Sequence, residues 1–205
     1  MTNRELLSRR GVIAGLGVAA AGAAAGATLG AQAAEDAESA EHAAWHQSVD
    51  AWMAKQEIAE LRRQYALATD LIGLASEDAI AQGRAIYRRI FTADAKIGAT
   101  GQPQVTGPDA WVTIAHEALK IYQDTQHLIG SQVIDLQALP DASGKGGQAV
   151  MSSYLQAWHA KEDGELWLFI GTYYDKLTYT KGVGWQIYDM VLNQVSGDRR
   201  KITGS

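Results

Sequence analysis

Apolar residues recur at three- and four-residue steps from about Ala51 onward. Ile58, Leu61, Tyr65, Ala68 and Ile72 form this repeat, which predicts an amphipathic helix with one buried stripe. Arg62, Arg63 and Gln64 are expected to fall off that stripe. A second helix is predicted from Ser76-Glu77-Asp78, where a capping serine precedes two acids in the first turn. It runs through Ile86, Tyr87 and Ile90 to Phe91. Thr92-Ala93-Asp94 reads as a turn into a short strand over residues 95–98. Gly107-Pro108-Asp109 opens a third helix, because proline is tolerated in the first turn. Its stripe is Trp111, Ile114, Ala115, Ala118, Leu119 and Tyr122, with His116 beside it as a structural histidine.

After Asp124 the pattern becomes strand-like. Strands are predicted over residues 127–136, 148–160, 166–179 and 185–195. They are separated by the glycine-rich stretch 140–147, by Asp163-Gly164 and by Lys181-Gly182-Val183-Gly184. The polar stretch 197–205 is expected to be a loose tail. Helices followed by a run of antiparallel strands predict an α+β fold, with the helices packed on one side of a meander.

The first 33 residues change the domain count. Ser8-Arg9-Arg10-Gly11 precedes an alanine- and glycine-rich apolar run, and Ala31-Gln32-Ala33 supplies small residues before acids begin at Glu35. This pattern resembles a twin-arginine export signal followed by a peptidase site. The competing reading is an uncleaved membrane helix, which the weak hydrophobicity of the glycine-rich run disfavours. The expected organisation is a signal over 1–33, an acidic leader or short helix over 34–55, one domain over 56–196 and the tail. The expected location is the periplasm, with no stable membrane anchor. Removing Arg4, Arg9, Arg10 and Glu5 with the signal makes an already acidic chain of net charge −5 more so. No basic stripe exists to neutralise phosphates, which argues against nucleic acid as a partner. The 205 residues include no cysteine, which excludes disulfides, thiolate nucleophiles and sulfur-ligated zinc.

The candidate chemistry lies at three places. Asp70 sits in the last turn of the first helix, where an acid opposes the helix dipole and calls for a compensating partner such as a histidine. His127 begins the first long strand and His159 ends the second. Neutral imidazole accepts protons near neutral pH and works better when a carboxylate holds its other nitrogen. Asp70 and His127 would form such a pair. His159 would protonate a departing hydroxyl or hold an oxyanion. Tyr65, Tyr87, Trp111, Tyr154, Trp158, Phe169 and Tyr173 are candidates to line a substrate pocket, although ordinary core is the bland reading for most of them. Strand alternation puts Tyr154 and His159 on opposite faces, so both reach one pocket only across a bulge. His42 and His46 have a spacing compatible with a metal, but with no fixed third ligand they read as surface histidines.

Several fragments together carry a family resemblance. They are the helix from Ile58 to Asp70, Tyr87 to Phe91 followed by Asp94, Gly107-Pro108-Asp109-Ala110, Thr125-Gln126-His127, Ser153-Tyr154-Leu155, Gly171-Thr172-Tyr173-Tyr174-Asp175 and Gly184-Trp185-Gln186-Ile187. In order and spacing the chain resembles the SnoaL-like branch of the nuclear-transport-factor-2-like superfamily. That resemblance implies a cone-like, curved antiparallel sheet wrapped by helices around a pocket. The functional likeness is to its scytalone dehydratase and hexachlorocyclohexane dehydrochlorinase members. It implies that Asp70 matches their helix acid, His127 their sheet histidine and His159 a second pocket histidine. Thr69 stands where the dehydratase has a tyrosine. The activity implied is a cofactor-independent lyase that removes water or formaldehyde from a small hydroxylated aromatic or polyketide-like substrate. A homodimer or homotrimer is implied as well. The alternatives are a non-catalytic binding module, an isomerase, and a metal site built from Asp70, His127 and His159.

Overall fold

A computed structural model of the protein describes residues 13–201. The paired arginines Arg9 and Arg10 lie outside the described residues, as do residues 202–205 of the tail. Helix α1 spans Ile13–Gly73, and the chain divides into two units between Val49 and Asp50. In the first unit the acidic stretch over 35–48 is helical and exposed. The His42 and His46 rings meet edge to face there, 4.4 Å apart. Among the described residues, no group of three or more acids or histidines is placed to hold a metal. No helix among them is long and apolar enough to cross a membrane.

In the second unit, α1 buries Ile58, Leu61, Tyr65, Ala68 and Ile72, as the spacing predicts. Arg62 departs from the expectation, because it is fully buried on the same stripe. Its position four residues after Ile58 puts it there. Burial is tolerated because it meets the carboxylate of Asp175, itself buried. The guanidinium also lies 3.9 Å from the Tyr173 ring centre and 4.6 Å from that of Tyr65, so the cation is covered by aromatic faces.

Helix α2 spans Glu77–Ile90, and the Ser76 hydroxyl accepts the N–H of Ala79 at 3.3 Å. Gly83 lets α2 approach α1 closely, since a Cβ there would sit 2.8 Å from the Ala68 carbonyl oxygen. Helix α3 spans Pro108–Leu119. Arg88 clamps its first turn by donating to both carboxylate oxygens of Asp109, at 2.9 and 2.8 Å.

The strands are β1 (Phe91–Ala99), β2 (Val105–Thr106), β3 (Asp124–Ala138), β4 (Gln148–Ala160), β5 (Glu165–Thr180) and β6 (Gly184–Lys201). They form one unclosed, curved, mixed sheet in the order β2-β1-β6-β5-β4-β3. Five neighbouring pairs make this sheet, and all are antiparallel except β1 with β6. A tight turn forces antiparallel pairing, and no such turn joins β1 to β6. Phe91 belongs to β1 rather than to the helix before it, and the short β2 is an addition to the expected strands. The predicted loose tail is also corrected. Residues 197–201 extend β6 and pair with β5 as far as Lys201 opposite Glu165.

Long strands of this kind curve through their irregularities. In β3 the pairing shifts between Gly130 and Val133, and Ser131 adopts a left-handed φ of 46°. The shift changes which residues face inward. His127 and Ile129 do so before it, and Gln132, Ile134 and Leu136 after it. Gln132 seals that point by donating to the Ala59 carbonyl of α1 at 2.9 Å.

Candidate active site

The end of α1 meets the start of β3. Gly73 makes this contact possible, because a Cβ there would lie 2.7 Å from the Thr125 hydroxyl. The Asp70 carboxylate then accepts three hydrogen bonds from β3. Thr125 Oγ1 donates to Oδ1 at 3.0 Å, and the His127 backbone N–H donates to Oδ2 at 3.1 Å. The His127 ring nitrogen Nδ1 lies 2.7 Å from Oδ1. An acid in the last turn of a helix is thus compensated by donors from another element. Because a carboxylate only accepts, Nδ1 carries the hydrogen, and in the neutral ring Nε2 keeps its lone pair. The His127 side chain is almost fully enclosed, while that of Asp70 stays a quarter exposed behind it.

Strand β4 is in unbroken register with β5, so its odd residues all face the helices. Ser153, Leu155, Ala157 and His159 are buried. His127 stands opposite Ala157, and Thr125 opposite His159, which makes the two histidines diagonal neighbours. Their ring centres are 5.5 Å apart, edge to face. The small side chain of Ala157 leaves room between them.

His159 is held differently from His127. Its Nδ1 lies 3.2 Å from the Trp167 carbonyl oxygen, an acceptor only, so Nδ1 carries the hydrogen here too. The ring stacks on the Trp167 indole at 4.6 Å, and Tyr122 packs at 5.1 Å. Burial, reinforced by the neighbouring His127, lowers the His159 pKa from the usual 6.5 to about 4. The imidazole is therefore neutral at ordinary pH, and its open Nε2 is an acceptor. The sequence-based expectation that His159 gives up a proton or holds an oxyanion does not fit this bonding.

Both rings open onto a cavity of about 160 Å³ between α1, α3 and the sheet. Tyr65, Trp111, Phe169 and Tyr173 line it. Trp111 Nε1 donates to the Tyr65 hydroxyl at 2.9 Å, which fixes both rings. Tyr87 is buried one layer behind, stacked on Tyr65 at 5.1 Å. Its hydroxyl lies 2.6 Å from Thr69 Oγ1, and the Thr69 hydroxyl in turn donates to the Tyr65 carbonyl at 2.8 Å. Tyr87 therefore supports the wall and is not part of it.

Tyr154 and Trp158 are corrections. Without a bulge in β4 they fall on the opposite face of the sheet, 60% and 38% exposed. Trp167 and Thr69 line the cavity and were not anticipated. Trp167 had a signal in the sequence, since it has the same parity as Phe169 along β5. Among the described residues the lining includes no Asp, Glu, Lys or Arg.

A cavity capped by helices over an unclosed curved sheet defines the nuclear-transport-factor-2-like fold. The chain belongs to the SnoaL-like domain family, whose model matches residues 53–191. Among solved structures it is similar to a scytalone dehydratase-like protein of Novosphingobium aromaticivorans, at 14% identity and a TM-score of 0.59. That match covers 77% of this chain and 95% of the other. It is also similar to a type 2 hexachlorocyclohexane dehydrochlorinase (LinA), at 14% identity and a TM-score of 0.61, over 77% and 97% of the two chains. The Kfla4162 protein of Kribbella flavida matches at 21% identity and a TM-score of 0.58, over 72% and 95%. At these identities the likeness speaks for the fold. No curated protein sequence matches the chain.

Proposed function

We propose that the protein is an exported lyase that uses one histidine as both base and acid, without a cofactor. The observation that carries this reading is the 2.7 Å contact between Asp70 and His127 at the wall of a largely apolar cavity. Asp70 holds the tautomer and stabilises the imidazolium once it forms. His127 Nε2 takes a proton from an activated C–H, the C–H electrons form the new double bond, and the C–O bond to the leaving hydroxyl breaks. The imidazolium then gives its proton to that hydroxyl, so water leaves and His127 is neutral again. Formaldehyde loss balances in the same way. The proton comes from a hydroxymethyl O–H, the C–C bond breaks, and the imidazolium protonates the carbon left behind. A single base suffices for either route, which agrees with a neutral His159. Acid–base assistance of this kind contributes about 10²–10⁴ in rate, enough for an activated position.

The substrate in this reading is a small hydroxylated aromatic or polyketide-like compound, suited to walls made of Tyr65, Trp111, Phe169 and Tyr173. Similarity to lyase-type folds supports the reaction class. Export by the twin-arginine route is supported by Arg9-Arg10 and by Ala31-Gln32-Ala33 before the acidic stretch. Homo-oligomerisation is supported by the outer face of the sheet. Leu128, Val133, Tyr154, Trp158 and Tyr174 are large, apolar and exposed there, and adjoining patches of this kind commonly mark interaction surfaces.

The deciding experiment is a mass-spectrometric screen of phenolic and polyketide-like alcohols for loss of water or formaldehyde. The expected result is turnover by the wild type and none by His127→Ala. If ligands bind with no turnover, and His127→Ala behaves like the wild type, the protein is a binding module instead.

A further inference from the structure

The bonding of His159 constrains what enters the cavity. Its Nδ1 hydrogen is committed to the Trp167 carbonyl, leaving Nε2 as an acceptor on the cavity wall. The neutral His127 ring likewise presents a bare Nε2, because its Nδ1 hydrogen is committed to Asp70. Two acceptors therefore sit on one wall, with ring centres 5.5 Å apart. In the proposed reaction only His127 exchanges protons. An acceptor with no donor opposite it loses its hydrogen bond to water when a ligand displaces that water. The ligand must then supply the donor.

The rest of the lining sharpens this. No ammonium or guanidinium among the described residues lines the cavity to receive an anion. The nearby Arg62 is bound to Asp175 and covered by Tyr65 and Tyr173. Arg199 lies on the Trp167 ring at 4.9 Å and is paired with Glu165. A carboxylate would face two imidazole lone pairs and a mostly apolar wall with no cation to balance its charge, and the Tyr65 hydroxyl alone would not replace its hydration. A volume of about 160 Å³ resembles cavities of about 150 Å³ that admit a benzene ring.

We infer that His159 is a specificity-determining hydrogen-bond acceptor, so that the cavity selects uncharged, single-ring compounds with a free hydroxyl and rejects their ether and carboxylate analogues. This rests on reading the cavity as the substrate site. It assigns His159 a positioning role in place of proton donation.

Phenol, anisole and benzoate test the inference directly, because none of them has a group to eliminate. Binding is measured calorimetrically on the purified protein. The wild type is expected to bind phenol at least about tenfold more tightly than anisole, and benzoate not at all. His159→Phe is expected to bind both neutral compounds within about twofold of each other, since the acceptor is gone. His159→Gln keeps an acceptor oxygen and is expected to restore the preference for phenol, which guards against a folding defect in the phenylalanine variant. A long-range proton–nitrogen spectrum should show wild-type His159 with a bare Nε2. Equal binding of phenol and anisole by the wild type overturns the inference, as does tight binding of benzoate. A phenol preference that persists in His159→Phe assigns it to His127 and also overturns it. Failure of all three compounds to bind removes the single-ring class. If the phenol preference holds and no alcohol in the turnover screen reacts, the elimination reading alone falls.

Discussion

Asp70 Oδ1 lies 2.7 Å from His127 Nδ1, and the same carboxylate also accepts the Thr125 hydroxyl and the His127 amide. One side chain at the end of a helix therefore fixes both the backbone and the ring of a residue near the start of β3. Asp70→Asn presents an amide that is free to turn its NH₂ toward Nδ1 and invert the tautomer. The expected outcome is a fall in turnover of about 10²–10⁴-fold, with the substrate still bound. Steady-state kinetics with a substrate found in the screen check it.

Gly73 is the point where α1 touches Thr125. Gly73→Ala places a methyl group 2.7 Å from the Thr125 hydroxyl, so the Thr125 side chain must move and its bond to Asp70 is disturbed. We expect a loss of about 1–3 kcal/mol in stability. Turnover should fall further than that loss of folded protein accounts for. Urea denaturation together with kinetics on the folded fraction separates the two.

Arg62 and Asp175 form an ion pair with no access to water. Arg62→Ala leaves the Asp175 carboxylate buried and alone, at an expected cost of about 3–5 kcal/mol. Replacing both partners, as Arg62→Met with Asp175→Leu, should recover most of that loss because no charge is then stranded. Chemical denaturation of the wild type and these two variants checks this. A single Arg62→Ala substitution without effect would contradict the burial.

The depressed pKa of His159 links stability to pH with a definite sign. In the unfolded chain this histidine takes up a proton near 6.5, while in the fold it does so only near 4. Between those values the unfolded state holds more protons, so stability falls as pH is lowered through the window. Above it the contribution is complete. The unfolding free energy of the wild type relative to that of His159→Phe, measured above and within the window, should fall toward acid pH.

Export is checked at the cell level. Mature protein from the periplasm should begin at Ala34, and replacing both Arg9 and Arg10 with lysine should retain the precursor inside. N-terminal sequencing and cell fractionation give the answer. Protein that keeps its first residues would favour the uncleaved reading.

What the sequence by itself determined was local. The three-and-four spacing from Ile58 to Ile72, the cap at Ser76 and Pro108 after Gly107 place the helices, because each depends on residues within a turn or two. The shift to strands after Asp124 predicts the α+β order, and the misplaced acid at Asp70 signals that a partner is needed. What only the tertiary structure decided was which face each residue presents and which neighbour it meets. Arg62 looks like a solvent residue until Asp175, more than a hundred positions later, arrives beside it. Tyr154 and Trp158 leave the pocket because β4 pairs without a bulge, while β3 changes face at Ser131. The pairing of β1 with β6 joins segments that no turn connects. The hydrogen on His159 Nδ1 follows from the carbonyl of Trp167, a backbone group whose direction no side-chain pattern records. Short-range preferences are written residue by residue along the chain. Strand register, burial of a charge and the tautomer of a ring are settled by contacts between distant segments, and so appear only once the chain has closed on itself.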